Sequence, residues 1–172
     1  MKSIFIVARY KEDVDWVKPY PHFIVQKEEH LPNVGREPSS YLWYIIEHYD
    51  KLEGIYFFVQ GNPFDHWPNV LEEVNRAEPG FHWHGRLHKQ DWWHSMSNGQ
   101  PYDSGFDIDA MLTKLGLETS ESYMFKPGCQ FIIDAETIKK KPKEFYIKAK
   151  ELVEIEPRGP WAFERIVDRI FK

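Results

Sequence analysis

The chain has little of what secreted and membrane proteins depend on. It contains one cysteine, Cys129, which excludes a disulfide framework and a zinc site built on cysteines. No apolar run approaches the roughly 18 residues that cross a bilayer, and the opening apolar segment is too short for a signal peptide. The sequence therefore predicts a soluble, cytoplasmic protein with no signal peptide and no membrane span.

Basic runs are also scarce. Only Lys139-Lys140-Lys141 interrupts a composition of 22 Lys and Arg residues against 27 Asp and Glu residues, which gives a formal net charge of −5. An acidic chain is repelled by the phosphates of DNA and RNA. Nucleic acid is therefore not expected as a ligand.

Aromatic residues are abundant instead. Trp, Tyr and Phe make up 16% of the 172 residues, a length that suits one domain spanning residues 1–172. Rings beyond those that a core needs would line a concave surface, where flat apolar faces suit sugars or bases. The alternative is that all of them fill the core.

Apolar periodicity predicts an α/β fold. Short β-branched or aromatic runs predict strands, and apolar residues three and four positions apart predict helices. The predicted strands are 3–8, 23–26, 55–59 and 128–133. The first predicted helix starts near Ser39 or Ser40 and ends before Gly54. The other predicted helices are 68–77, 106–117, 142–153 and 160–171, with a short turn of helix at 135–140. This order favours a mostly parallel sheet with helices on both faces.

Residues 79–105 lack this periodicity and predict an irregular aromatic and histidine-rich loop. Two interpretations of it remain open. The first is a sugar-stacking loop that carries Trp83, Trp92 and Trp93. The second is a metal site, because imidazoles with a carboxylate bind Zn²⁺ or a redox metal; its candidate ligands are His82, His84, His88, Asp91 and His94.

Ionisable residues follow the predicted strand 55–59. Asp65 and His66 come soon after its carboxyl end, where ligands bind in α/β proteins. The pair has the chemistry of a metal ligand or an acid/base pair. Alternatively, Asp65 fixes the turn after Pro63.

Two more candidates lie at helix starts. Arg36 suits bidentate binding of a diphosphate, although Arg36 and Glu37 also suit an internal ion pair. Glu164, near the start of the last helix, is a candidate base for an acceptor hydroxyl. A carboxylate in a first helical turn also stabilises the helix without any catalytic role.

Several sequence blocks resemble an uncharacterised domain family of fungi, bacteria and large viruses. The N-terminal blocks run Val7-Ala8-Arg9-Tyr10 with Glu12-Asp13, Asn33-Val34-Gly35-Arg36-Glu37, and Gln60-Gly61-Asn62-Pro63-Phe64-Asp65-His66. The C-terminal blocks include Pro127-Gly128-Cys129-Gln130-Phe131 and Pro160-Trp161 with Glu164-Arg165. The resemblance covers almost the whole chain and implies a domain of unknown function.

The layout more distantly resembles nucleotide-sugar glycosyltransferases of the A-type fold. This second resemblance implies nucleotide-sugar contacts from Arg9, Tyr10, Asp13, Asn33, Gly35, Arg36, Glu37, Gln60 and Gly61. It also implies catalytic roles for Asp65, His66 and Glu164, and sugar or acceptor contacts from Trp83, Trp92 and Trp93. The Asp-x-Asp motif of such enzymes is missing, because Gln60-Gly61-Asn62 stands at its place. Mn²⁺ or Mg²⁺ would then depend on Asp65, since Asp107-Ile108-Asp109 precedes a predicted helix and has the position of a capping pair.

The sequence thus predicts a glycosyltransferase that moves a sugar from a nucleotide-diphosphate donor to a hydroxyl on a glycan or small molecule. One alternative is a carbohydrate or nucleotide-sugar binding module without turnover. The other is a metalloenzyme built on the histidine cluster. The donor, the acceptor and the oligomeric state are left open.

Overall fold

The computed structural model describes most of the chain. The described residues are 2–91, 94–97, 100–103, 108–120, 122–156 and 158–172. Their strands are β1 (Ser3–Arg9), β2 (His22–Gln26), β3 (Ile55–Gln60), β4 (Phe81–His84), β5 (His88–Asp91), β6 (His94–Ser97), β7 (Gln100–Asp103), β8 (Ser122–Phe125) and β9 (Gln130–Asp134). Their α-helices are α1 (Arg36–His48), α2 (Val70–Glu73), α3 (Ile108–Leu115), α4 (Ala135–Ile138), α5 (Lys143–Ile155) and α6 (Gly159–Phe171).

The α/β class is confirmed, with a main sheet that is mixed. Its strand order is β2-β1-β3-β9-β4. β1 pairs in parallel with β2 and β3, whereas β9 pairs antiparallel with both β3 and β4. The expectation of a mostly parallel sheet therefore holds for one half only. An apolar run buried on both faces carries no signal of strand direction.

The long helices cover one face of this sheet. Alternate strand residues such as Ile6 and Phe58 pack there with apolar residues of α1, α3, α5 and α6. Phe5 and Phe57 point to the other face, where a short 3-10 helix, Asp15–Val17, and α2 supply the cover. The prediction of helices on both faces is thus correct, but the second layer consists of short helices.

The start of α1 differs from the prediction. Gly35 precedes the helix with a φ of 69°, and Ser39 and Ser40 lie buried inside it rather than at its cap. Ser39 Oγ donates a hydrogen bond to Oε1 of Glu154 on α5. Ser39 therefore bonds to a carboxylate of the neighbouring helix α5, rather than to the backbone amide that a capping serine would contact.

The predicted irregular loop at 79–105 is wrong for several segments. β4 pairs with β9 at the edge of the main sheet. β5, β6 and β7 form a second, antiparallel sheet with β8, in the order β7-β6-β5-β8. The strands are only four residues long and mix rings with polar groups, so they show no clear alternation. One overlooked signal is Asn98-Gly99 between β6 and β7, the dipeptide that two-residue hairpins favour.

No helix among the described residues is both long enough and apolar enough to cross a bilayer.

Candidate functional site

Two cavities open where β1 and β3 end and α1 begins. The smaller, of about 220 Å³, lies among the end of β1, the residue after β2 and the first turns of α1. The larger, of about 350 Å³, extends from α1 to the segment before β9 and the first two turns of α6. Arg36 and Glu37 line both, so the two cavities adjoin, and together they are called the cleft. It lies at the carboxyl ends of parallel strands, where α/β proteins bind ligands.

The structure brings most of the predicted site residues to this cleft. Arg9, Tyr10, Asn33, Arg36 and Glu37 line the smaller cavity. The larger cavity is also lined by predicted residues from three other parts of the chain: Gln60, His66 and Glu164.

The end of β1 is held by a network around Glu12. Its Oε2 accepts hydrogen bonds from the amides of Tyr10, at 2.7 Å, and Lys11, at 3.1 Å. Arg9 Nε donates to the carbonyl oxygen of Glu12 at 2.8 Å, and Arg9 Nη1 donates to Oε1 of Gln26 on β2. These contacts fix the cationic Arg9 at the rim of the smaller cavity.

Lys27 lines the smaller cavity from the end of β2, although the sequence did not single it out. Its side chain is buried, with an exposed fraction of 5%, and Nζ donates to the carbonyl oxygen of Val34 at 2.6 Å. Burial lowers the pKa of Lys27 from 10.5 to about 8, against the opposing effect of Glu154 and Glu37. The smaller cavity therefore has an ammonium group in its wall.

The amino end of α1 faces the same cavity. Gly35 and Arg36 both have positive φ, 69° and 48°, and no side chain caps the helix. The first helical N–H groups have no intrahelical acceptor, and the helix dipole favours negative charge at this end. Ser40, one turn further, lines the cavity too.

Glu37 lies between the two cavities. Its Oε1 accepts a hydrogen bond from Gln60 Nε2 at 3.2 Å, and its Oε2 lies 3.5 Å from Nε of Arg36. The buried Gln130 completes this wall, because its Oε1 accepts from the amide of Gln60 and its Nε2 donates to the carbonyl oxygen of Pro63. β3, β9 and the segment after β3 are thus joined behind the cleft.

The larger cavity contains the Glu164 carboxylate. Its Oε2 accepts from the amide of Gly128 at 2.8 Å, and its Oε1 accepts from Nη1 of Arg165 at 2.8 Å. Burial raises the pKa of Glu164 above 4.5, although Arg165 and the Gly128 amide oppose the shift. A carboxylate with a raised pKa in a cleft has the properties of a general base.

Aromatic and imidazole groups form the rest of the larger cavity. Trp161 is 40% exposed, and the guanidinium carbon of Arg36 lies 5.1 Å from the centre of its ring. The guanidinium of Arg165 lies 3.9 Å from the ring centre of Phe125. The exposed His66 packs its ring beside Gly128, where an added Cβ would lie 2.7 Å from Cδ2 of the imidazole.

The single cysteine lies in the wall of the larger cavity. Cys129 is 2% exposed, and burial raises the pKa of its thiol well above 9.0. Nearby Glu164 and Glu37 act in the same direction. Such a thiol stays protonated and has little nucleophilic character.

Other predicted residues lie away from the cleft. Asp65 is exposed and lines neither cavity. Asp13 fixes a turn by accepting from the amide of Asp15 at 2.8 Å. Gly61 is buried and its carbonyl oxygen accepts from Nε1 of Trp16 at 2.8 Å, which makes it a support for the loop.

Trp83, the predicted sugar-stacking tryptophan that falls within the described residues, lines neither cavity of the cleft. Trp83 packs against the core from β4, and its carbonyl oxygen accepts from Nζ of Lys126 at 2.6 Å. Trp92 and Trp93 lie outside the described residues. Trp161 is the tryptophan that lines the larger cavity among the described residues, and Pro160-Trp161 at the start of the last helix is the sequence signal for it.

The described residues hold no preformed protein site for a divalent cation. They contain no group of three or more His, Cys, Asp or Glu side chains that could hold a metal ion. Around the predicted histidine cluster, His84 stacks on Trp67 with ring centres 3.7 Å apart, and its Nδ1 lies 3.4 Å from Oε2 of Glu73. His82 Nε2 lies 3.1 Å from the carbonyl oxygen of Pro79, and the side chains of His88, Asp91 and His94 lie outside the described part of the chain.

The predicted capping pair at 107–109 is also only partly described. Asp109 lies in the first turn of α3 and accepts a hydrogen bond from the hydroxyl of Tyr123. Asp107 lies outside the described residues.

Comparison with known proteins gives a match for the part of the chain that supplies β1 to β3, α1 and α2. No curated protein and no solved structure matches the chain. Residues 5–79 match the family model described as "Protein of unknown function (DUF3431)", which confirms over this segment the expected resemblance to a domain family of unknown function.

Proposed function

We propose that the cleft transfers a sugar from a nucleotide-diphosphate donor to a hydroxyl acceptor. The observation that carries the proposal is the division of one cleft into two chemically different ends that share Arg36 and Glu37. The smaller end carries the cations Arg9, Lys27 and Arg36 beside a helix amino end. This set suits a diphosphate.

The larger end suits the reacting sugar and its acceptor. Trp161 offers a flat apolar face, and Glu37 and Gln60 offer hydrogen-bonding groups for hydroxyls. The carboxylate of Glu37 is already paired with Arg36 and Gln60, which leaves Glu164 and His66 to take the proton of an attacking hydroxyl. The role of base falls to Glu164, because its carboxylate is oriented by two hydrogen bonds while His66 is exposed.

In the proposed step the acceptor oxygen forms a bond to the anomeric carbon of the donor. The bond from that carbon to the diphosphate oxygen breaks, the diphosphate leaves with the electron pair, and the acceptor proton passes to Glu164. The departing charge is stabilised by Arg36 and Lys27 and by the amino end of α1. No step is assigned to a metal ion, because neither Asp65 nor the other described carboxylates form a set that fits one.

A binding module without turnover is the second candidate. The observation in its favour is that both oxygens of Glu164 already accept hydrogen bonds, as in a carboxylate with a purely structural role. Such a module would bind the same nucleotide sugars through the same cleft.

The deciding experiment combines binding and turnover. Thermal unfolding of the purified protein is measured with UDP, GDP, CMP and dTDP sugars, with and without Mn²⁺. Unheated portions of the same mixtures are assayed for released nucleotide and for free or transferred sugar. We expect one nucleotide to stabilise the fold by about 2.7 kcal/mol at a hundred times its dissociation constant, and to be released on prolonged incubation. Stabilisation without release supports the binding module, and no stabilisation by any donor contradicts both candidates.

A further inference from the structure

The smaller cavity has buried polar groups whose hydrogen-bonding capacity the described residues leave unfilled. Two polar side chains in its wall, Lys27 and Ser40, are buried, with exposed fractions of 5% and 0%. Ser40 Oγ has no hydrogen-bond partner among the described residues. A buried hydroxyl without a partner is destabilising unless a ligand or water completes it.

The ammonium group of Lys27 also has fewer partners than it can bind. It donates one hydrogen bond, to the carbonyl oxygen of Val34, and forms no salt bridge with the described carboxylates. Buried charges in proteins are normally paired, because transfer of an unpaired charge out of water is costly. An anion in the cavity would supply the missing partner.

The amino end of α1 adds backbone donors to the same space. The amides of Arg36 and Glu37 have no intrahelical acceptor, and the position of a capping side chain is taken by Gly35. Gly35 could not be replaced easily, since an added Cβ would lie 2.5 Å from Cβ of Ser39. The helix therefore begins without a capping side chain that could occupy its first amides.

The charges that face the cavity favour an anion. Arg9, Lys27 and Arg36 outnumber the two carboxylates, Glu12 and Glu37. Both carboxylates are engaged, since Glu12 accepts from two backbone amides and Glu37 accepts from Gln60. The cations and the helix end thus outweigh them in the direction of the cavity.

We propose that the smaller cavity is a phosphate subsite, in which the Lys27 ammonium, the Ser40 hydroxyl and the amino end of α1 hold the diphosphate of the donor. The identity of the whole donor rests on the proposed function, whereas the binding of a diphosphate does not. Lys27 and Arg36 would thus take the place of the cation that an Asp-x-Asp motif holds in the enzymes that this layout resembles.

The test is titration calorimetry with sodium pyrophosphate at pH 7. We expect saturable binding to the wild-type protein, at least tenfold weaker binding to Lys27→Met and severalfold weaker binding to Ser40→Ala. Lys139→Met is the matched control, because Nζ of Lys139 also donates to a backbone carbonyl, that of Leu52, but lies outside the cleft. The control should bind as the wild type does.

Arg36→Gln guards against a folding defect in the Lys27 variant, since the Arg36 side chain is 56% exposed and its replacement leaves the core intact. It should also weaken pyrophosphate binding. Wild-type affinity in both Lys27→Met and Arg36→Gln, or no pyrophosphate binding by the wild type, would overturn the subsite. Pyrophosphate binding without donor turnover leaves the subsite standing while glycosyl transfer fails. Donor turnover together with unchanged pyrophosphate affinity in the variants would instead support glycosyl transfer and exclude the subsite.

Discussion

The backbone amide of Gly128 and the carboxylate of Glu164 are joined by a hydrogen bond of 2.8 Å across 36 residues of sequence. This bond ties the second turn of α6 to the segment before β9 and fixes the direction in which the carboxylate meets the larger cavity. Burial at the same place raises the pKa of Glu164. Orientation and a raised pKa together are what a general base requires.

If the protein carries out the proposed sugar transfer, replacement of Glu164 by Gln should lower its rate by about a hundredfold or more, because general base catalysis contributes on that order. Donor affinity should change little. The wild-type rate should also fall as the pH drops through the raised pKa, since only the ionised carboxylate accepts a proton. The measurements are single-turnover rates and calorimetric donor affinity, with the exposed Glu151→Gln on α5 as the control. Equal rates in wild type and Glu164→Gln would exclude Glu164 as the base.

The Trp161 ring should contribute to ligand affinity rather than to folding. It is 40% exposed, so Trp161→Ala should change the free energy of unfolding by about 1 kcal/mol or less. Loss of a stacking face should weaken donor or acceptor binding by about tenfold, which corresponds to about 1.4 kcal/mol. Trp161→Phe keeps a flat ring and should recover most of the affinity. If Trp161→Ala binds every ligand as the wild type does, the ring is not part of the binding surface.

Gly128→Ala should destabilise the fold more than an alanine at another glycine of left-handed conformation. Gly128 has a φ of 91°, and its new Cβ would lie within 3.1 Å of three atoms of His66. Gly116 has a φ of 71° with nothing within 4 Å of an added Cβ, so Gly116→Ala should cost only the backbone strain, about 1–2 kcal/mol.

Urea unfolding of both variants measures the difference, which we expect to be about 1 kcal/mol or more. His66 must also move in Gly128→Ala, so its imidazole resonances should shift. Equal stability and unchanged His66 resonances would show that the imidazole does not pack against Gly128.

His84 should make the protein sensitive to acid. Burial lowers the pKa of His84 from 6.5 to about 4, although Glu73 opposes the shift. Between these values the unfolded chain binds the proton more readily than the folded one, so stability is lost as the pH falls from 6.5 toward 4 and is unaffected by this group above 6.5. The loss amounts to about 3 kcal/mol at most.

The measurement is urea unfolding at pH 7 and pH 5 for wild type and His84→Gln. The variant should show a smaller difference between the two pH values. His82→Gln is the matched control, because His82 is exposed on the same strand. An unchanged pH dependence in His84→Gln would place the acid sensitivity elsewhere.

The sequence was enough to predict the strands and helices that have a strong apolar pattern. β1 and β3 are continuous apolar runs, and α6 repeats apolar residues at a helical spacing that the structure buries, from Ala162 to Phe171. The sequence also indicated ionisable residues after β1 and β3 and before α1, such as Arg9, His66 and Arg36, and these lie in the cleft. These features depend on local pattern alone.

The remaining features depend on contacts between distant residues. Lys27 stands in a charged run, Lys27-Glu28-Glu29, that is typical of a solvated turn, and its burial results from α1 and the segment before it. Ser40 had the pattern of a helix cap, but packing of α1 moved the helix start to Arg36. The direction of β9 follows from its insertion between β3 and β4, which no local pattern encodes.

The insertion of β9 between β3 and β4 affects when the cleft can form during folding. β3 and β9 are separated by some seventy residues, yet β9 pairs with β3, and the chain that flanks β9 carries the Gly128 wall and α6. Pairings between such distant segments form slowly, because a long loop must close before any contact repays its lost entropy. A chain that stops after residue 79 would leave β3 as an open edge, ready to pair with other chains. The cleft is thus a late product of folding, and a truncated protein should aggregate rather than bind.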